Sequence, residues 1–161
     1  MILIGLGANL PSPAGPPLAT LKAALAALAR NGAEAVSVSR FYQTQAWPDP
    51  DDPPFVNAVA QVETELSPAS LLARLQEIER SMGRVAGPRN TPRPLDLDIL
   101  DYDGRIEAGP PMLPHPRMER RAFVLVPLAD LAPDWRHPAS GRSVKDLIGA
   151  LADASQIVPI A

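Results

Sequence analysis

Apolar residues along this chain of 161 recur with two different periods, and the order in which those periods alternate constrains its fold more than any other feature. Ile2 to Leu6 is a short apolar run that breaks at Gly7, Ala8 and Asn9, the pattern of a buried strand leaving into a loop. Behind Pro16-Pro17, the residues Leu18, Leu21, Leu25 and Leu28 follow at helical spacing in an alanine-rich background that stops at Asn31-Gly32. Val36 and Val38 alternate with Ser37 and Ser39 ahead of Phe41-Tyr42, and Val56, Ala58, Ala60 and Val62 alternate with polar neighbours, so two strands succeed one another. Ser67 caps a helix with Pro68 at its first position; Leu71, Leu72, Leu75, Ile78 and Met82 share one stripe that ends at Gly83. Leu95 to Leu100 then returns to alternation, with Asp96 and Asp98 on one face.

The order β-α-β-β-α-β predicts an α+β fold of the ferredoxin-like, or split βαβ, type: an antiparallel sheet with two helices on one face and the other face free. Residues 103–161 are C-terminal additions expected to cover sheet edges and frame a site. They hold a turn region from Pro110 to Pro116, an apolar run from Phe123 to Leu131 expected to begin extended and continue helically, and a short helix capped by Ser143. Trp47 to Pro54 is too rich in Pro and Asp for regular structure, and Arg84 to Pro94 forms a second long loop; both read as mobile and functional.

Length and composition narrow the function. One domain over 1–161 is expected, with no apolar segment long enough to span a bilayer and no basic region ahead of the short N-terminal apolar run, so the cytoplasm is the expected compartment. The absence of cysteine removes disulfides, thiolate metal sites and cysteine nucleophiles, which favours a hard-cation site among carboxylates. A net charge of −3 argues against a nucleic-acid partner.

Asp96 and Asp98, spaced i and i+2 on a strand, project from one face about 7 Å apart at Cα and can share a metal cluster suited to Mg²⁺. An isolated Asp-x-Asp is more often a solvated edge. Here Arg84, Arg89 and Arg93 precede the pair on a Gly- and Pro-containing loop, and guanidinium forks beside a metal pair suit polyphosphate. Gly5-x-Gly7 is too short for a nucleotide fingerprint, and no Walker A run exists.

Arg89-Asn90-Thr91-Pro92-Arg93-Pro94-Leu95-Asp96-Leu97-Asp98-Ile99-Leu100 resembles the signature of the 6-hydroxymethyl-7,8-dihydropterin pyrophosphokinases. Similar landmarks run from Gly5-Leu6-Gly7-Ala8-Asn9, through Phe41-Tyr42-Gln43-Thr44 and Phe55-Val56-Asn57-Ala58, to Pro114-His115 and Arg121-Ala122-Phe123. The resemblance implies transfer of the β,γ-diphosphate of ATP to the hydroxymethyl group of a reduced pterin, with release of AMP, in folate biosynthesis. It implies two Mg²⁺ ions on Asp96 and Asp98, with Arg84 and Arg93 offsetting charge during transfer and Asp96 also facing the hydroxymethyl oxygen. It implies an ATP site of Gln76, Glu79, Arg84, Arg89, Arg93, Ile99, His115 and Arg121. It implies a pterin held between Phe55 and Phe123, with Asn57 on its polar edge and Thr44, Gln45 and Trp47 from the first loop. The partners are then ATP and the pterin, with no membrane and a monomer expected.

Each residue also has a plainer reading. Phe55 and Phe123 suit a core, His115 an exposed Pro-rich turn, and Gln76 and Glu79 the polar flank of a helix. Two other functions fit the same pattern, a different two-metal phosphoryl or nucleotidyl transferase and a binding module without turnover.

Overall fold

The computed structural model describes residues 1–46, 48–85, 87 and 92–160. Trp47 and Arg89 of the expected site, and the loop-tip residues Asn90 and Thr91, lie outside the described residues.

The first strand, β1 (Ile2–Ala8), is buried along nearly its whole length because it lies inside the sheet, antiparallel to two neighbours. On one side runs β4 (Phe55–Thr64), from Ile2 opposite Val62 to Ala8 opposite Val56. On the other runs β5 (Asp96–Tyr102), from Ile2 opposite Tyr102 to Gly7 opposite Asp96, with a register shift that places Leu100 and Asp101 together against Leu3. The far edge of β4 carries β2 (Ala33–Val38) and β3 (Tyr42–Thr44) end to end, and β3 in turn pairs with β6 (Val158–Pro159). All pairs are antiparallel, which makes this an α+β antiparallel sheet.

The alternation of Val36 to Ser39 ahead of Phe41-Tyr42 predicts one strand here, and two are found, β2 and β3. The break is at Ser39, whose Oγ accepts from the Val59 N–H at 3.0 Å, so a side chain takes over a ladder bond before the chain turns at Arg40.

Helices α1 (Pro17–Arg30) and α2 (Pro68–Ser81) cover one sheet face, packing against Ile4, Leu6, Ala60, Leu97 and Ile99. Both begin with proline at the first helical position, and Ser67 Oγ accepts from the Ser70 N–H as foreseen. On α1 the small Ala24 and Ala27 lie in the interface beside Leu21 and Leu28, while Leu18 and Leu25 are only half-buried.

The second sheet face is not free. Helices α3 (Ala122–Leu131) and α4 (Val144–Gly149) pack there, where Leu3, Val59 and Leu100 meet Leu125, Leu128 and Leu147. Trp135 closes that core, its indole N–H donating to the buried Asp101 carboxylate at 2.9 Å. Phe123 therefore sits inside a helix rather than in an extended start, and only Arg121 before it is extended. The run from Ala122 to Leu128 is apolar all round because α3 is enclosed by the sheet on one side and by Ile157 on the other, which erases the helical period from the sequence. Ser143 caps α4 as expected.

Candidate functional site

Register alone assembles a row of side chains across the second face. Gly7 lies opposite Asp96 on one side and Asn57 on the other, and Asn57 lies opposite Tyr42, so Asp96, Gly7, Asn57 and Tyr42 form one line. The next row holds Asp98, Gly5 and Val59. The core under α3 is built from Leu3, Val59 and Leu100, so the aspartates lie at its border, each about a third exposed. The glycine in the middle has a steric purpose: a Cβ built on Gly7 would stand 2.8 Å from Asn57 Oδ1, so the amide occupies the space a side chain would fill. Phe55 is two residues before Asn57 on the same face, and Phe123 approaches from the first turn of α3 beneath the Arg121 guanidinium, 5.4 Å from the ring centre.

Arginines surround the aspartates. Arg84 donates to Asp96 at 2.8 Å and also to Glu79, and Arg93 stands 3.5 Å from Asp96. Arg121 and His115 each approach Asp98 only to 3.9 Å, beyond hydrogen-bond length. Glu79 is buried on α2 and accepts the Leu97 N–H at 2.9 Å, satisfying the outward-facing edge of the sheet's terminal strand. Burial raises the Glu79 carboxyl to about 7, against the pull of the Leu97 N–H and Arg84. Burial and the neighbouring Asp96 raise Asp98 to about 6. His115 is pushed down to about 4 by burial and by Arg121 and Arg117, so it is neutral at physiological pH. Its Nδ1 accepts from the Arg117 N–H at 3.2 Å, which leaves the proton on Nε2, the atom facing Asp98.

The carboxylates fit a hard cation. They are two oxygen donors on one face with guanidinium groups as their counter-charges; among the described residues no cluster of three or more His, Cys, Asp or Glu forms here or elsewhere, so the protein's share of such a site would be this pair alone. The remaining coordination of an ion here falls to water and substrate oxygens, the habit of Mg²⁺.

Other expected residues are placed differently. Ile99 points into the core under α1 and α2, on the face opposite Asp98, so only its main chain is available to a ligand. Gln76 is exposed one turn before Glu79. Thr44 and Gln45 line a cavity of about 600 Å³ together with Asp52, Pro54, Gln156 and the residues from Val158 to Ile160; Ile157, Asn57 and Asp96 do not line it. His115 lines another, of about 430 Å³, with Ile106, Met112, Glu119 and His137.

The sequence marks Asn9 as the end of the first strand and as a family landmark but gives it no role. It is buried at the end of β1, accepts from the Arg93 N–H at 2.7 Å, and donates through Nδ2 to the Pro53 carbonyl at 3.1 Å. The Arg93 carbonyl accepts from both Asn9 N and Leu10 N. One amide thereby ties the end of the 48–54 loop to the end of the arginine loop. The signal was a polar residue directly after a buried strand, two residues past Gly7.

A family model for 7,8-dihydro-6-hydroxymethylpterin-pyrophosphokinase (HPPK) matches residues 3–133. The chain is similar to the 2-amino-4-hydroxy-6-hydroxymethyldihydropteridine pyrophosphokinase of Synechocystis sp., with 39% identity covering 99% of this chain and 80% of that protein. It is 43% identical to the Pseudomonas aeruginosa protein of the same name, covering 92% of this chain and 90% of the relative. In fold it is similar to the crystal structure of Plasmodium falciparum HPPK-DHPS with pteroate, at a TM-score of 0.71 and 13% identity; the match covers 91% of this chain and 43% of that one.

Proposed function

This chain belongs to the 7,8-dihydro-6-hydroxymethylpterin-pyrophosphokinase family, enzymes that transfer pyrophosphate from ATP to hydroxymethyldihydropterin in folate biosynthesis, and we propose how its residues divide that work. The hydroxymethyl oxygen attacks the β-phosphorus as its proton passes to water. The bond from that phosphorus to the α,β-bridging oxygen breaks, and AMP leaves with the oxygen. Asp96 and Asp98 would hold two Mg²⁺ ions, which when bound neutralise charge on the phosphates.

Arg84 and Arg93 leave Asp96 for phosphate oxygens, a change that Glu79 makes easier by holding Arg84 nearby in the meantime. Arg121 and the Nε2–H of His115 serve the ATP side, with Gln76, the loop residue Arg89 and the Ile99 main chain. Asn57 offers both donor and acceptor to the pterin edge, Phe55 and Phe123 supply flat apolar contact, and Thr44, Gln45 and Trp47 close from the loop. No strong side-chain base is required, because positioning and electrostatic stabilisation carry the step. Loops 43–54 and 84–94 close when both ligands are present.

The observation that carries this reading is the row Asp96, Gly7, Asn57, which sets a metal-type carboxylate and a heterocycle-reading amide on either side of a bare glycine under a canopy of arginines. The antiparallel order β5-β1-β4 with β2 and β3 beyond, together with both α1 and α2 on one face, supports a ferredoxin-like core carrying C-terminal additions. We read residues 1–161 as one domain acting as a monomer in the cytoplasm. Light scattering after size exclusion tests the oligomeric state.

The decisive assay incubates protein, ATP, Mg²⁺ and 6-hydroxymethyl-7,8-dihydropterin and identifies products. AMP with pterin diphosphate is expected. ADP or free pyrophosphate would indicate another transferase, and no turnover a binding module. Asn57→Ala should weaken pterin binding more than ATP binding; equal losses would overturn its placement.

A further inference from the structure

Tyr42, Ala122 and Ile157 form a small buried cluster on the second sheet face, with Phe123, Val126 and Leu151 packed against it. Three separate pieces of chain meet there: β3, the first turn of α3, and the residue just before β6. Two of them carry walls of the pterin site proposed above. In β3, Tyr42 lies opposite Asn57 and Thr44 opposite Phe55, while α3 brings Phe123.

The third piece is firmly attached to both walls. Ile157 is 9% exposed. The chain after it lies along β3, with Val158 opposite Gln43, Pro159 opposite Tyr42, and the Ile160 N–H donating to the Phe41 carbonyl at 2.8 Å. Pro159 has no N–H to offer a further strand, which suits the last position on a sheet edge. A strand of three residues such as β3 has little hold of its own and takes its position from neighbours on either side. This edge is also tied to α3 through Asp130, which accepts from the Arg40 main-chain N–H at 2.8 Å and from its guanidinium; the guanidinium is 63% exposed, so its share of that tie is small.

We infer that residues 156–160 act as a strap across the pterin side of the site, with Ile157 as a positioning residue. Its side chain sets the gap between Phe123 and the row that contains Asn57, and so governs pterin affinity without touching the ATP side. This inference rests on the pterin placement proposed above.

The test uses the full chain and two volume-matched core truncations, Ile157→Ala in the strap and Leu147→Ala in the remote core under α4, where Leu147 is 1% exposed. Affinity for 6-hydroxymethylpterin is read by its fluorescence in the presence of Mg²⁺ and a non-hydrolysable ATP analogue, and affinity for the analogue alone by calorimetry. Ile157→Ala is expected to weaken the pterin roughly tenfold, since small displacements of contact groups are costly, while analogue affinity stays unchanged. Leu147→Ala should lower Tm comparably and leave the pterin Kd alone. Ile157→Val, one methyl smaller, should give a lesser loss in the same direction, and it carries the test if the alanine variant does not fold.

An unchanged pterin Kd in the Ile157 variants, an equal loss for both ligands, or the same loss in Leu147→Ala would overturn the strap. Asn57→Ala separates the two ideas. If it weakens the pterin while Ile157→Ala does not, the strap falls and the site stands; if it too has no effect, the site reading falls and takes the strap with it.

Discussion

Replacing Gly7 with alanine adds a single methyl group at the centre of the site. The backbone there is not left-handed, so any cost comes from contact alone. The new Cβ would meet Asn57 Oδ1 at 2.8 Å, about half an ångström inside an ordinary carbon–oxygen contact. Because the obstructing atom is the tip of a side chain rather than backbone, the amide can move aside, and overpacking of this kind should cost the fold only about 1 kcal/mol. Moving the amide is what matters for binding.

An amide that no longer meets the pterin edge leaves a buried partner unsatisfied, at about 1–3 kcal/mol, which is roughly a 5- to 150-fold loss of pterin affinity. Gly5→Ala is the matched control, since its Cβ would meet only Leu100 side-chain carbons at 3.4 Å and beyond. Fluorescence titration of both variants with 6-hydroxymethylpterin, alongside thermal melts, decides the matter. Wild-type pterin affinity in a folded Gly7→Ala protein would refute the claim that Asn57 reads the pterin across this glycine.

Asn9→Asp keeps an acceptor for the Arg93 N–H but loses the donor to Pro53, so calorimetry should find the pterin weakened more than an ATP analogue, whereas Asn9→Ala should weaken both; identical profiles would contradict separate roles for its two ends. Asp96→Ala or Asp98→Ala should cut turnover by roughly a thousandfold or more while circular dichroism stays native, and full activity in both would remove them from the metal site. For the metal-free protein, Glu79 is raised from 4.5 to about 7, so the folded state binds more protons than the unfolded state across that window and stability falls as pH rises through it. His115, lowered from 6.5 to about 4, acts the other way, its contribution being lost as pH falls from 6.5 towards 4. The urea midpoint of wild type should therefore fall relative to that of Glu79→Gln from pH 4.5 to pH 7, and a constant difference would mean that Glu79 is ionised throughout.

Strands β4 and β5 and helices α1 and α2 were legible because each buries one face against something different from the other, which writes a period into the sequence, whereas β1, buried on both faces, was legible as a short apolar run. Asp96 and Asp98 could be placed on one face of one strand for the same reason. Helix α3 could not be read that way: apolar neighbours surround it, so neither period survives in Ala122 to Leu128. The break at Ser39 was equally hidden, because a hydroxyl replacing one ladder bond leaves the alternation on either side intact.

Which residues touch across the sheet depends on register, and register belongs to pairs of strands rather than to any one of them. The patterns in β1, β4 and β5 left open that Gly7 would fall between Asp96 and Asn57. The sequence by itself determined the elements, their order and the kinds of chemistry on hand. Only the tertiary structure decided that a bare glycine would make room for an amide, that Asn9 would tie two loops together, and that Ile157, more than a hundred residues from Tyr42 in the chain, would brace the same wall. These are contacts at long sequence separation, fixed by packing and backbone pairing, and no local pattern records them.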